Sequence, residues 1–304
     1  TVTGDNPANA ELGVAYEDAG ATATDASGTV TVESSGTVDS DTLGTYEITY
    51  TSTDPSGNVG TATRTVNVVD TTVPVFTSSS TFVVDEGTTE IGTVTATDAD
   101  SDTISYSLSG TDASSMSINS SSGVLTFNSA PDYETKTSYT ARVTASDGTN
   151  SATQDITVNV TNLNDNTPSF TSSATFNAAE NQTAIGTVTA TDADGDTISY
   201  SLSGTDASSM SINSSSGVLA FNSAPDYETK SSYSVIVTAS DGTNSSTQNI
   251  TVNLTNLNDN TPSITSSATF SAAENQTSIG TVTATDADGD TLSYSLSGTD
   301  ASSM

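Results

Sequence analysis

Tyr233-Ser234-Val235-Ile236-Val237-Thr238-Ala239-Ser240-Asp241-Gly242-Thr243-Asn244 is the stretch whose reading decides the fold. Tyr233, Val235, Val237 and Ala239 share one parity. Successive side chains of a strand leave on opposite sides, so a period of two predicts a strand with one buried face. The run stops at Asp-Gly-Thr-Asn, and alternation resumes through Ile250, Val252 and Leu254. Residues 241–244 therefore predict a hairpin turn. Ile104, Tyr106 and Leu108 alternate with Ser and Thr in the same way. About seven short strands and no helical stretch fit into one module, which is the pattern of an all-β, seven-stranded Greek-key sandwich.

The module repeats. Asp98-Ala99-Asp100, Asp192-Ala193-Asp194 and Asp286-Ala287-Asp288 recur. So do Asn164-Asp165-Asn166 with Asn258-Asp259-Asn260, and Met116, Met210 and Met304. All keep one spacing of about 94 residues, and roughly four-fifths of positions in 75–168 and 169–262 are identical, which marks an array of similar modules. Pro74, Pro168 and Pro262 each follow a polar linker. Proline fixes φ and biases its predecessor toward extended backbone, so these linkers are expected to be short and stiff. The expected modules are 1–73, 74–167, 168–261 and a partial copy, 262–304. The first differs in sequence but alternates through Tyr46, Ile48 and Tyr50, turns at Asp54-Pro55-Ser56-Gly57-Asn58, and closes on Val66 and Val68. The partial copy holds about the first three strands, and its apolar face has no partner sheet within the copy.

Lys and Arg number 4 against 37 Asp and Glu, a formal net charge of -33 over 304 residues. Such a chain repels nucleic acid and anionic membrane, which both need basic surface. The regular apolar alternation argues against a disordered acidic chain. No apolar run approaches a membrane span. No signal peptide opens the chain, and it is expected to be a segment of something longer. With no Cys and no His, a secreted protein of this kind needs another staple, and bound metal is one option.

The acids supply that option. In the third module they are Glu180, Asp192, Asp194, Asp196, Asp226, Glu228 and Asp241. Asp241 continues the parity of Tyr233, Val235, Val237 and Ala239; Asp192 continues that of Val188 and Ala190. These carboxylates are expected at a tip of the sandwich, converging on its axis. Converging like charges raise one another's pKa, and a divalent cation removes that cost. Oxygen-only ligands select a hard ion, and a flexible set of many oxygens favours calcium over magnesium.

Ala179-Glu180-Asn181-Gln182, Ala190-Thr191-Asp192-Ala193-Asp194, Asp226-Tyr227-Glu228, Ala239-Ser240-Asp241-Gly242 and Asn258-Asp259-Asn260-Thr261-Pro262 follow one another in an order that resembles cadherin repeats. The resemblance covers about residues 74–304. Gly44 to Pro74 resembles the immunoglobulin-like modules of bacterial surface proteins. The cadherin resemblance implies calcium between successive modules, bound by the lower module, the linker and the upper module. For the junction of the second and third modules it implies Glu86, Asp132 and Glu134, then Asn164, Asp165 and Asn166, then Asp192, Asp194 and Asp241. For the next junction it implies Glu180, Asp226, Glu228, Asn258, Asp259, Asn260, Asp286 and Asp288. The first junction offers Asp70, Asp98, Asp100 and Asp147, and the first module shows no counterpart of the glutamate. That linker is therefore expected to hold calcium weakly and to bend most. Three departures stand out: Asn162 and Asn256 open linkers where the family commonly has Asp, Gly87 follows Glu86 where the other copies have Asn, and Asp196 and Asp290 extend the acidic loops.

Other readings fare less well. Asp192-Ala193-Asp194-Gly195-Asp196 resembles the start of an EF-hand loop, but its twelfth position is Ser203 and no helices flank it. Paired carboxylates suit a glycosidase, yet identical acids at every linker do not make tandem active sites. Without His there is no conventional serine triad. The repeated Met reads as core filling. The expectation is a non-enzymatic, extracellular, calcium-rigidified rod: the stalk or filament segment of a bacterial surface adhesin or matrix protein. Its partners are calcium, neighbouring repeats of the same chain and, by the alternative reading of a homophilic or polysaccharide-binding module, other surface proteins or polysaccharide. There is no Trp to anchor a strand swap or stack on sugar.

Overall fold

The computed structural model describes residues 1–304, which divide into two compact units, Thr1–Leu163 and Asn164–Met304. Strands dominate both, and helical structure is limited to single 3-10 turns such as Ala113–Ser115.

The first unit opens with β1 (Ala8–Glu11), β2 (Ala23–Asp25), β3 (Gly28–Val30), β4 (Val32–Ser35), β5 (Gly44–Thr53) and β6 (Val59–Val69). β5 and β6 form the hairpin read from the alternation. Its turn is held by Asp54, whose Oδ1 accepts the N–H of Ser56 and Asn58. β1 joins β6 in parallel, with Glu11 opposite Val69. Ala8, Ala10, Ile48, Tyr50, Val66 and Val68 make the core.

The rest of the unit is β7 (Val75–Phe76), β8 (Thr81–Asp85), β9 (Glu90–Thr93), β10 (Ala96–Thr97), β11 (Ser105–Ser109), β12 (Met116–Ile118), β13 (Val124–Phe127), β14 (Ser138–Ser146) and β15 (Ser151–Thr161). One sheet has the order β11-β14-β15-β8 and a second β12-β13-β9, with β10 paired to β7. There are nine segments where about seven were expected, because the edge strands break. β7 serves one edge, and β8 then pairs in parallel with β15. Val143, Val158, Leu125 and Ile156 are sealed between the sheets. Burial of each such side chain contributes about 1.5–3 kcal/mol. Gly123, at φ +70, brings its backbone against Val94, where a Cβ would lie 2.1 Å from the carbonyl oxygen. Only glycine fits that approach.

In the second unit β16 (Ser169–Phe170), β17 (Thr175–Ala179), β18 (Ala184–Thr187), β19 (Ala190–Thr191), β20 (Ser199–Ser203), β21 (Met210–Ile212), β22 (Val218–Phe221), β23 (Ser232–Ser240) and β24 (Ser245–Thr255) repeat this plan. β23 and β24 pair from Ser240↔Ser245 outward, so 241–244 is the predicted turn. Beyond them lie only β25 (Ser263–Ile264) and β26 (Ala284–Thr285), paired with each other.

Candidate metal centres at the linkers

Parallel pairing at the sheet edge creates the first feature of the site. Thr255 lies opposite Ala179, so Glu180 falls just past the sheet, beside the linker that leaves β24. Its side chain is only 1% exposed. Oε1 accepts the N–H of Leu257 at 2.6 Å and Oε2 that of Tyr227 at 2.7 Å. Glu86, 3% exposed, repeats the geometry with Leu163 and Tyr133 at 2.7 and 2.8 Å. An ionised carboxylate buried without a compensating charge costs several kcal/mol. The chain has only four Lys and Arg residues, and each is already paired: Arg64 with Asp18, Lys136 with Asp112, Arg142 with Asp155 and Lys230 with Asp206. No basic side chain remains for Glu86 or Glu180.

More carboxylates gather at the same place. Carboxylate oxygens of Glu180, Asp226 and Glu228 lie within 4.8 Å of one another, as do those of Glu228, Asp259 and Asp288. Asp226 is held first by the hydroxyl of Thr229 and then by the N–H of Glu228, which keeps its carboxyl below the usual range. The Glu228 carboxyl is pushed up, first by burial and then by the charge of Glu180 and by Asp226 and Asp288. The linker itself is threaded through these acids. Oδ2 of Asp288 accepts the N–H of Asp259 and Asn260 at 3.1 and 2.8 Å, and Nδ2 of Asn260 donates to both Asp259 and Asp288. Asn258 donates to Asp290, and Asn181, at φ +62, donates to Oδ2 of Asp259. Asp286 stands behind Asp288, accepting its N–H at 3.1 Å.

The tip of the third module shows what the acids lack. Oδ1 of Asp241 accepts the N–H of Thr243 and Asn244, while its Oδ2 is buried with no hydrogen-bond partner. Burial raises the Asp241 carboxyl, but these two N–H groups outweigh it and the net shift is downward. Asp192 behaves alike: Oδ1 accepts the N–H of Asp194 and Asp196, and Oδ2 is buried and unpaired. Asp98 and Asp147 repeat the pattern in the second module. One oxygen of each Asp shapes its loop; the other is buried and makes no hydrogen bond. Buried polar atoms are rarely left so. Asp194 accepts from Asp165 and Asn166, and Asn244 donates to Asn164, so the linker residues 164–166 lie on this tip. Oxygens of Asp192, Asp194 and Asp196 also lie within 4.8 Å. Asp132 is tied to Thr135 as Asp226 is to Thr229, with Glu134 in the same turn.

Two residues escaped the sequence reading. Asn256 was read only as a departure; its Oδ1 is buried and unpartnered, as a ligand atom would be. The first module was expected to lack a counterpart of the glutamate, and Glu11 supplies one. It sits at the end of β1 beside its terminal strand, and both its oxygens accept from Thr71, at 2.7 and 2.6 Å. The motif around Glu180 does not occur there, so only the β1–β6 pairing reveals it.

The donor set is wholly oxygen, anionic, partly orphaned and without internal cations, which is what a hard divalent ion requires. Comparison with known proteins gives the family. The model for the cadherin domain matches residues 80–161 and 174–255, more than half of the chain, and that for "Bacterial surface protein, Ig-like domain" matches 1–68. Human Protocadherin Fat 4 is 35% identical over 188 residues, covering 58% of this chain and 4% of that protein. The Drosophila melanogaster protocadherin-like wing polarity protein stan is 33% identical over 195 residues, 57% of this chain and 5% of that protein. Among solved structures, protocadherin gammaB7 EC3-6, described as a cis-dimer, superposes with a TM-score of 0.64 at 28% identity, covering 80% of this chain and 68% of that one. Mouse cadherin-23 EC22-24 shares the fold at 23% identity and a TM-score of 0.56, over 69% of this chain and 74% of that one. The chain belongs to the cadherin-domain family, carrying tandem cadherin repeats behind a bacterial surface immunoglobulin-like module.

Proposed function

We propose that the chain is an extracellular spacer of a bacterial surface adhesin or matrix protein, stiffened by calcium at its Asn-Asp-Asn linkers. The single observation that carries this reading is the buried Glu180 beside Asp226, Glu228, Asp259 and Asp288, in a chain whose four basic residues are all engaged elsewhere. Calcium would supply the missing charge and cross-link linker to sandwich. Glu180, Asp226, Glu228, Asn256, Asn258, Asp259, Asn260 and Asp288 would hold it, and Asp286 would orient Asp288. Matching residue types recur at Glu86, Asp132, Glu134, Asn164, Asp165, Asn166, Asp192, Asp194 and Asp241. Many flexible carboxylates suit calcium better than magnesium, which demands near-octahedral geometry and retains its waters.

The surface location and the absence of catalysis are part of the same reading, supported by family membership. Extracellular modules bind calcium with dissociation constants of about 0.1–1 mM. At ten- to hundredfold excess each site adds about 1.4–2.7 kcal/mol to stability. Thermal melts in EDTA and in calcium are the test. A large upward shift in calcium, poorly matched by magnesium, is expected, and superimposed curves would sink the reading. Lateral self-association is the second reading, drawn from the cis-dimer of protocadherin gammaB7. A reversible, calcium-dependent dimer in sedimentation would favour it.

A further inference from the structure

β1 and β6 are the first and last strands of the immunoglobulin-like module, and they pair in parallel. Tension along the chain therefore pulls β1 toward its amino end and β6 toward its carboxyl end, so the two slide past each other. In such shear the bonds between them share the load and fail together; in peeling they fail one at a time. We infer that this module is a load-bearing clamp, in which Asn6 and Arg64 lengthen the sheared join between β1 and β6. It rests on the spacer reading above, since a spacer passes tension along its chain, but it needs no ion.

Three observations carry it. First, the join is sealed on its inner face: Ala8 and Ala10 lie opposite Val66 and Val68, and all four are buried. On its other side β6 is paired with β5 from Val59 to Val68, so β6 is the fixed member and β1 the edge that slides. Second, the ladder is prolonged at both ends. Asn6, two residues ahead of β1, uses its exposed amide as a peptide would. Its Oδ1 accepts the N–H of Thr65 at 2.9 Å, and its Nδ2 donates to the carbonyl of Thr63 at 2.8 Å. At the far end the N–H of Leu12 donates to the carbonyl of Val69 at 2.9 Å, and Thr71 donates to Glu11.

Third, Arg64, on β6 and 2% exposed, grips the chain before it enters β1. Its guanidinium donates to the carbonyls of Thr3 and Gly20 and to the hydroxyls of Tyr16 and Tyr50, with the Asp18 carboxylate 3.2 Å away. Thr3 also donates its own N–H to Gly20 at 2.9 Å. Buried bonds of this kind have no water to replace them as they break. The cadherin repeats pair their edge strands in parallel too, β8 with β15 and β17 with β24. Their entry lacks the grip: Ser79 and Ser173, two residues ahead of those strands, bond Thr81 and Thr175 of their own strand.

Force-clamp measurements on single whole chains in EDTA provide the test. The module is recognised by length, since Ala8–Val69 frees roughly 210 Å of extended chain and Thr81–Thr161 roughly 280 Å. Handles at the two chain ends load β1 against β6 in shear. The chain has no Cys, so Val14→Cys gives a unique handle just past β1. Paired with the carboxyl end, it peels the strands apart from the Glu11 end and frees roughly 190 Å. At equal force the parent module is expected to last severalfold longer in shear than in peeling. Asn6→Ala deletes two hydrogen bonds at an exposed site, so the variant is expected to fold. It is expected to shorten the sheared lifetime by roughly tenfold. The peeling lifetime should not change, because peeling starts at the other end. Arg64→Lys keeps the charge beside Asp18 but cannot fork to two carbonyls, and is expected to act in the same direction. Equal parent lifetimes in the two geometries overturn the clamp. Variant lifetimes that match the parent in shear, or that fall equally in both geometries, overturn the grip. Neither outcome bears on calcium, which the melts decide.

Discussion

Oε1 of Glu180 accepts the backbone N–H of Leu257 at 2.6 Å, across 77 residues of sequence. The bond joins the start of the third sandwich to the linker that leaves it, and makes one buried carboxylate the clasp. Clasp and ion ligand pull in opposite directions when no ion is present. The charge is then a cost of several kcal/mol, whereas leaving one N–H unpaired costs about 1–3 kcal/mol. Glu180→Gln is therefore expected to equal or exceed the parent in melting temperature in EDTA. In excess calcium it is expected to fall below the parent by up to the lost binding contribution, about 1.4–2.7 kcal/mol. Differential scanning calorimetry in both buffers checks the reversal of sign; a variant that ranks below the parent by the same margin in both contradicts it.

Asn181 holds the opposite side of the same linker. It adopts φ +62, a conformation with some strain for a residue with a side chain, and uses it to donate to Asp259. Gly87 occupies the matching position in the second module. Asn181→Gly removes the strain and the bond together, so the calcium-free melt is expected to move by less than about 0.5 kcal/mol. The dissociation constant for calcium is expected to rise by roughly threefold to tenfold, the worth of one hydrogen bond that orients a ligand. Isothermal titration calorimetry reads this directly; an unchanged constant would mean that Asn181 is only a turn residue.

The strands were legible because apolar residues such as Tyr233, Val235, Val237 and Ala239, or Ile250, Val252 and Leu254, recur at every second position, and the acids because their loops recur. The split edge strand was not legible. β7 and β8 are parted by a short polar run, and the crossing of β8 to pair with β15 leaves no periodic trace. Glu11 was missed for the same reason: its role comes from the β1–β6 register, and no local motif marks it. Asn256 looked like a weakened Asp because the sequence does not show that its Oδ1 is sealed from water and unpaired. The commitment of every basic side chain to a local partner also needed coordinates, although the scarcity of such residues was plain from composition.

Asp206 offers a pH test away from the linkers. Its carboxyl lies below the ordinary value of 3.8, first because Lys230 donates to it at 2.5 Å and then because the Ser234 N–H does. A depressed carboxyl stabilises the fold above the unfolded-state value, and the contribution is lost as pH falls through the folded value. Lys230 is 41% exposed, so the pair contributes only about 0.5–1 kcal/mol after screening. Asp206→Asn is expected to lower stability at neutral pH by about that amount. Its deficit should shrink once pH drops below 3.8. Urea titrations of both proteins at neutral and acidic pH give the comparison, and a deficit independent of pH would assign the effect to packing.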